Sequence, residues 1–195
     1  MIAEIQPVQV REGGNLKLFE LPDPYESYVI GCDISTGRAS DYTAFSIQTR
    51  DGDEVGAYKG KIPIDRTTKL LLKYGKMYNN AVLAPESNDI GLGVAINIQN
   101  SGYRNLYYSK HLLRKKGKAK PEVDDIPGWY TTKKNRPIII AELEEDIRND
   151  TITIKDNFFC QEAYTFIYDS RNRPVAMNKD KSESEDALDE QVYTD

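Results

Sequence analysis

Tyr28-Val-Ile-Gly-Cys-Asp33-Ile-Ser-Thr-Gly37, followed by Asp41-Tyr-Thr-Ala-Phe-Ser-Ile47, decides how the chain is read. Val29 and Ile30 favour a buried strand. Gly37 and the Ser, Thr and Asp residues around it supply turn chemistry, and a second apolar strand follows. Asp33 therefore stands at the end of a central strand, where a charge is costly unless it has a partner. A metal ion is the simplest partner. A cap on a neighbouring turn is the other reading of the same carboxylate.

Working outward, an ordered meander surrounds this stretch. Strands are expected over 28–35, 43–49 and 54–60, with Arg50-Asp-Gly-Asp53 as a hairpin turn. A helix over 65–79 carries Leu71, Leu72 and Tyr78 on one face. A fourth strand, 81–86, ends on a second carboxylate, Glu86. Helix 92–100 and strand 105–109 follow, and strand–helix–strand order implies a parallel pairing within a mixed sheet. Residues 121–127 read as an acidic loop. Asn135-Arg-Pro137 opens a helix with Ile140, Leu143 and Ile147 as its stripe. Residues 151–155 read as a short strand and 158–169 as either helix or strand. An edge strand is expected near 175–178 and an acidic helix over 181–195. Residues 1–24 carry little core signal beyond a short strand candidate over 16–21, and read as a linker or N-terminal extension to a domain spanning 25–195.

Composition narrows the chemistry. The 195 residues include 39% hydrophobic and 29% charged residues, which suits one polar globular domain. The net charge of −5 argues against a surface that binds polyanions everywhere, though local clusters still can. Two cysteines, Cys32 and Cys160, are too few for a disulfide framework or a zinc site, and suit a reducing compartment. No run is long and apolar enough for a membrane span, and the first residues lack the pattern of a signal peptide. His111 is the lone histidine, which disfavours Ser-His-Asp or Cys-His catalysis. No phosphate loop of the P-loop type is present.

Three acids fall at the ends of core elements: Asp33, Glu86 and, at the start of the last helix, Asp186. Clustered carboxylates suit hard divalent cations, and two such ions can clamp both oxygens of a phosphodiester in hydrolysis. Taken singly, Glu86 could cap a helix and the acids of 183–190 could be a solvated face. A basic run, Lys110, Arg114, Lys115, Lys116, Lys118 and Lys120, lies beside Tyr107, Tyr108, Trp129 and Tyr130. Cations beside aromatics suit nucleic acid, although these rings could equally anchor a loop.

The order of motifs resembles the nuclease domain of the phage terminase large subunit. Gly31-Cys-Asp33 with Gly37-Arg-Ala-Ser-Asp41-Tyr42 matches its first motif, and Glu86-Ser-Asn88-Asp-Ile-Gly91 its second. Gly128-Trp-Tyr-Thr131, Arg136-Pro137 and Glu162-Ala-Tyr-Thr-Phe166 follow in the family's order, across 28–189. The third catalytic motif departs: Ser184-Glu185-Asp186 stands where the family has His-Asp-Asp. The resemblance implies an α/β, ribonuclease H-like fold, a central mixed β-sheet flanked by α-helices. It implies a metal-dependent endonuclease that cuts concatemeric double-stranded DNA with two Mg²⁺ or Mn²⁺ ions. Asp33, Glu86 and Asp186 would be the catalytic metal ligands, with Glu185 auxiliary. Asp41 and Asn88 would order the turns, and the basic run would hold DNA. The implied partners are double-stranded DNA, an ATPase domain of the same subunit (with residues 1–24 as the remnant of its linker), the small terminase subunit and the portal protein, in the host cytoplasm rather than the mature virion. The first motif also resembles the phosphate-binding hairpin of actin-like ATPases and sugar kinases, but that fold needs a second such loop. The alternative function is a non-catalytic DNA-binding or assembly module on a ribonuclease H-like fold.

Overall fold

A computed structural model describes residues 5–36, 42–113, 122–168 and 174–176. Its centre is a six-stranded sheet in the order β1-β2-β5-β4-β3-β6. The strands are β1 (Gln9–Arg11), β2 (Leu16–Leu18), β3 (Tyr28–Asp33), β4 (Thr43–Thr49), β5 (Glu54–Gly60) and β6 (Val82–Pro85). All neighbours pair antiparallel except β3 and β6, which run parallel. Helix α1 (Ile64–Met77) returns the chain from β5 to β6 beside β3, so the expected mixed sheet is present.

Alternation along the strands divides the sheet into two faces. Tyr28, Ile30 and Cys32 of β3, Phe45 and Ile47 of β4, and Tyr58 of β5 are buried on one face. They share a core with Leu71 and Tyr74 of α1, with Tyr78 just past its end, and with Val94 and Ile98 of α2 (Gly91–Asn100). Phe45 stacks on Tyr58 with ring centroids 4.8 Å apart. In α1 and just past its end, Thr67, Leu71, Tyr74 and Tyr78 recur at helical spacing, so that one stripe reaches the sheet.

The lead-in expected over 1–24 is corrected here. Its β1 and β2 extend the sheet, and Leu16 and Leu18 are fully buried. Three-residue strands give no periodicity of their own; pairing with β5 makes them core. The Glu12 carboxylate ties this hairpin to α1, accepting from Lys73 Nζ and Tyr74 OH at 2.6 Å each.

Beyond β6, Leu106 bridges Leu83, and the chain then forms a hairpin of β7 (Tyr108–Leu113) and β8 (Glu122–Pro127). The acidic loop expected over 121–127 is therefore mostly strand. Its acids read as loop in isolation, but the register sets Asp125 opposite Lys110, and opposite charges across strands are stabilising. Helix α3 (Asn135–Arg148) follows, with Ile140 and Leu143 half-buried. Of the strand expected over 151–155, only a bridge from Thr153 to Asp53 forms.

Residues 152–156 cover one end of the sheet's second face. Glu54 accepts from Ser46 Oγ (3.0 Å) and from the backbone N–H of Lys155 (2.8 Å) and Asp156 (2.7 Å). Asp156 in turn pairs with Lys17 at 3.2 Å. Burial pushes the Glu54 carboxyl above the ordinary glutamate value of 4.5, opposed by the hydrogen bonds it accepts. The folded state then holds this proton more readily than the unfolded chain does. Glu54's contribution to stability is fullest below pH 4.5 and is lost as pH rises through the raised folded value. Urea melts are accordingly expected to show wild type gaining on Glu54→Gln as pH falls from 8 to 4; a gap moving the other way contradicts this. Glu54→Leu strands three donors and is expected to cost about 3 kcal/mol or more at pH 7.

The chain divides into two compact units, Met1–Asp156 and Asn157–Asp195. In the second, α4 (Asn157–Tyr164) precedes an antiparallel pair, β9 (Phe166–Tyr168) and β10 (Pro174–Ala176). The stretch that read as either helix or strand is thus both in succession. No helix among the described residues is long and apolar enough to cross a membrane.

Candidate metal centre

Asp33 is the last residue of β3, and Glu86 follows directly on the last residue of β6. The parallel register pairs Gly31 with Ala84 and Cys32 with Pro85, and Glu86 N–H donates to Cys32 O at 2.7 Å. The next step sets Asp33 beside Glu86. Both alternate away from the buried Cys32 and Pro85, so both carboxylates lie on the second face. Adjacent strands run about 4.8 Å apart. Two acids from positions 53 residues apart thus stand side by side at the carboxyl ends of a parallel pair, where open α/β sheets form their crevices.

The floor beside them is small: Gly31, Ala44, Ser46 and Ala84 share this face. Among the described residues nothing lies within 4 Å of where a Gly31 side chain would begin. Asp33 is exposed and Glu86 half-buried. Paired oxygen donors with open space beside them fit a hard divalent cation, which also offsets the repulsion of two carboxylates. Cys32 does not join them. Burial, helped by the Asp33 charge, pushes its thiol far up, so it stays protonated inside the core.

Glu86 is held by a second layer of contacts. Residues 128–131 run alongside 85–88: Trp129 N–H donates to Pro85 O at 2.8 Å, and Ser87 N–H to Trp129 O at 2.7 Å. Asn88 closes the arrangement. Its Nδ2 donates to Thr131 O (3.0 Å), and its Oδ1 accepts from Thr131 N–H (3.2 Å). The same Nδ2 reaches Glu86 Oε1 at 3.4 Å. Asn135 carries the contact onward, bonding Thr132 N–H and Tyr130 O at the start of α3. Gly128 has φ +89°, and a side chain there would begin 2.5 Å from Pro85 O. The spacing of Gly128-Trp-Tyr-Thr131 therefore has a local cause: the segment must lie flat against the strand end that presents Glu86.

Other expected residues fall elsewhere. Lys110 is exposed on β7. Arg114, Lys115, Lys116, Lys118 and Lys120 lie outside the described residues, as do Asp41, Glu185 and Asp186. Among the described residues no group of three or more acids, histidines or cysteines could hold a metal; Asp33 and Glu86 are a pair. Tyr107 and Trp129 contact each other, with ring centroids 5.6 Å apart, and anchor the base of the β7–β8 hairpin.

No family model matches the sequence, and no curated protein sequence does. Solved structures do match. The large terminase nuclease from thermophilic phage G20c, solved with bound magnesium, aligns over 89% of this chain and 83% of its own, with TM-score 0.65 and 16% identity. The cobalt-bound form of the same nuclease aligns over 88% and 81%, with TM-score 0.64 and 15% identity. The large terminase nuclease domain of Thermus phage P74-26 aligns over 90% and 83%, with TM-score 0.62 and 16% identity. The mixed sheet with its parallel β3–β6 pair thus has the ribonuclease H-like fold of phage large-terminase nuclease domains.

Proposed function

We propose that this chain is the metal-dependent endonuclease domain of a phage DNA-packaging terminase, cutting concatemeric double-stranded DNA. One observation carries the reading: Asp33 and Glu86 stand together at the ends of the parallel pair, on a face floored by small residues. The likeness to terminase nucleases supports it, as do the magnesium-bound and cobalt-bound forms of one of them.

Mg²⁺ or Mn²⁺, when bound, supplies charge neutralisation and an activated water for phosphodiester hydrolysis. In this account Asp33, Glu86 and Asp186 would hold two ions, with Glu185 auxiliary. Asp33 and Glu86 would offer their oxygens from the sheet face that Gly31 shares. Asn88 fixes the backbone that carries Glu86. Lys110, Arg114, Lys115, Lys116, Lys118 and Lys120 grip the duplex by its phosphates, so affinity falls with salt. The proposed setting is the host cytoplasm, with the ATPase domain of the same subunit, the small subunit and the portal as partners.

Supercoiled plasmid incubated with the chain and Mg²⁺, Mn²⁺ or EDTA tests this. Nicking and linearisation with either ion and none in EDTA are expected; equal cutting in EDTA, or none with any metal, contradicts it. Asn88→Ala removes both bonds to Thr131. It is expected to cost about 1–3 kcal/mol in a urea melt and about 10–100-fold in Mn²⁺ affinity by titration calorimetry.

A further inference from the structure

The bridge between Glu86 and Trp129 carries the row of the candidate metal pair one strand further. Trp129 N–H donates to Pro85 O and Ser87 N–H to Trp129 O, the parallel pairing that sets residues 86 and 129 side by side. Glu86 N–H points the other way, to Cys32 O, so Asp33 and Trp129 flank Glu86 on opposite sides. Residues paired in this way send their side chains to the same face, one strand spacing (~4.8 Å) apart. The Trp129 indole therefore shares the second face with the two carboxylates.

Tyr107 lies against this indole. Leu106 bridges the core residue Leu83, so Tyr107 alternates onto the second face, and its ring centroid is 5.6 Å from that of Trp129. Tyr107 is 37% exposed and Trp129 half-buried. The Trp129 backbone is paired with the end of β6, but its side-chain donor is not paired. Among the described residues nothing accepts from the indole N–H, the adjacent Glu86 carboxylate included. No buried side-chain donor among them lacks a partner either, so this N–H opens to solvent. An indole donates and cannot accept. A restrained, solvent-facing donor beside two carboxylates is matched to an acceptor that the substrate brings.

We infer that Trp129 is a DNA contact of the nuclease. Its indole N–H donates to a backbone phosphate oxygen next to the phosphate presented to Asp33 and Glu86, and Tyr107 is a positioning residue that holds the ring for it. A strand of duplex carries one phosphate per ~3.4 Å of helix axis, so a neighbour of the scissile phosphate passes within one strand spacing of Glu86. Every DNA sequence presents phosphate oxygens, so this contact sets the position of the strand without reading bases. The inference rests on the nuclease reading. It gives Gly128-Trp-Tyr-Thr131 a part in binding besides the one its backbone has beside Glu86.

Trp129 is the only tryptophan in the chain, so its emission reports on this place alone. The test is acrylamide quenching of that emission with a short DNA duplex bound, in EDTA and again with Ca²⁺, a hard ion that takes oxygen ligands. Bound duplex is expected to shield the indole and lower the quenching constant. Trp129→Phe keeps an apolar ring against Tyr107 and lacks the N–H. It is expected to weaken duplex binding about tenfold, the loss of one hydrogen bond to a charged group. The salt slope should stay at the wild-type value, because an uncharged donor releases no counterion. With Mn²⁺, Trp129→Phe should raise KM for cleavage and leave kcat within about twofold, as loss of uniform binding does. Tyr107→Ala, which lets the indole turn, should raise KM in the same way. An unchanged quenching constant in both conditions, with the duplex shown to be bound on a gel, overturns the proposal. So does wild-type affinity in Trp129→Phe, the result expected of a ring that only anchors the hairpin, and so does absence of any DNA binding by wild type. The nuclease reading stands or falls separately, on whether wild type cuts in Mn²⁺.

Discussion

Gly91→Ala is expected to lower DNA cleavage by about a hundredfold or more, although position 91 touches no substrate. A methyl at Gly91 would begin 1.8 Å from the Glu86 carbonyl oxygen and 3.0 Å from its carbon. Both atoms are backbone, so no rotamer change relieves the overlap. The turn is tight because Gly91 N–H donates to Asn88 O at 2.9 Å, folding the start of α2 directly onto the strand end. Either α2 moves out or the Glu86 peptide moves in. A displacement of about 1 Å at a reacting centre costs on the order of 10²-fold, and overpacking of this kind costs about 1–3 kcal/mol of stability. Gly93 is the control. Nothing lies within 4 Å of its Cβ position, and it sits inside the same helix. Gly93→Ala is expected to keep activity and to gain about 0.5–1 kcal/mol. Thermal melts and initial cleavage rates on the two variants check both expectations, and equal behaviour at 91 and 93 contradicts them.

The role of Gly91 shows how far the sequence could be read. The strand Tyr28–Asp33 was legible because β-branched residues run up to a single carboxylate. The strand–helix–strand order of 81–86, 92–100 and 105–109 carried a parallel pairing, seen as the Leu83–Leu106 bridge, whereas the meeting of Asp33 and Glu86 depends on β6 pairing with β3, which is not next to it in the chain. Which atoms crowd Gly91 depends on how the turn closes, and no pattern of residue types states that. Strand β1 has no sign in the sequence because three residues carry no period, whereas β2 falls inside the short strand expected over 16–21. Strand β8 was missed because Asp125 reads as solvent until the register sets it opposite Lys110. Glu54 gave no sign of burial, since only its pairing through Ser46 and the backbone of 155–156 places it under the segment that crosses the sheet. Trp129 likewise joins the Glu86 row only through the bridge between the two.

Asp33→Asn is expected to reduce cleavage further than any other single change. The replacement keeps the shape and removes the charge, so the strand end and its neighbours are undisturbed. Second-layer residues at metal sites cost about 10–100-fold when lost, and a direct ligand is expected to exceed that range. Glu86→Gln should follow it closely, because the two carboxylates act as one donor set and their losses will not add. Neither variant should weaken DNA binding. Removing a negative charge from a face that approaches phosphates is expected to leave affinity equal or raise it.

The most direct measurement places wild type and Asp33→Asn side by side on supercoiled plasmid in Mn²⁺, with retention of the same DNA followed on a gel in EDTA. The account predicts linear product from wild type alone and equal or tighter retention by the variant. Cleavage by Asp33→Asn at the wild-type rate, or binding by both with cleavage by neither, would contradict it.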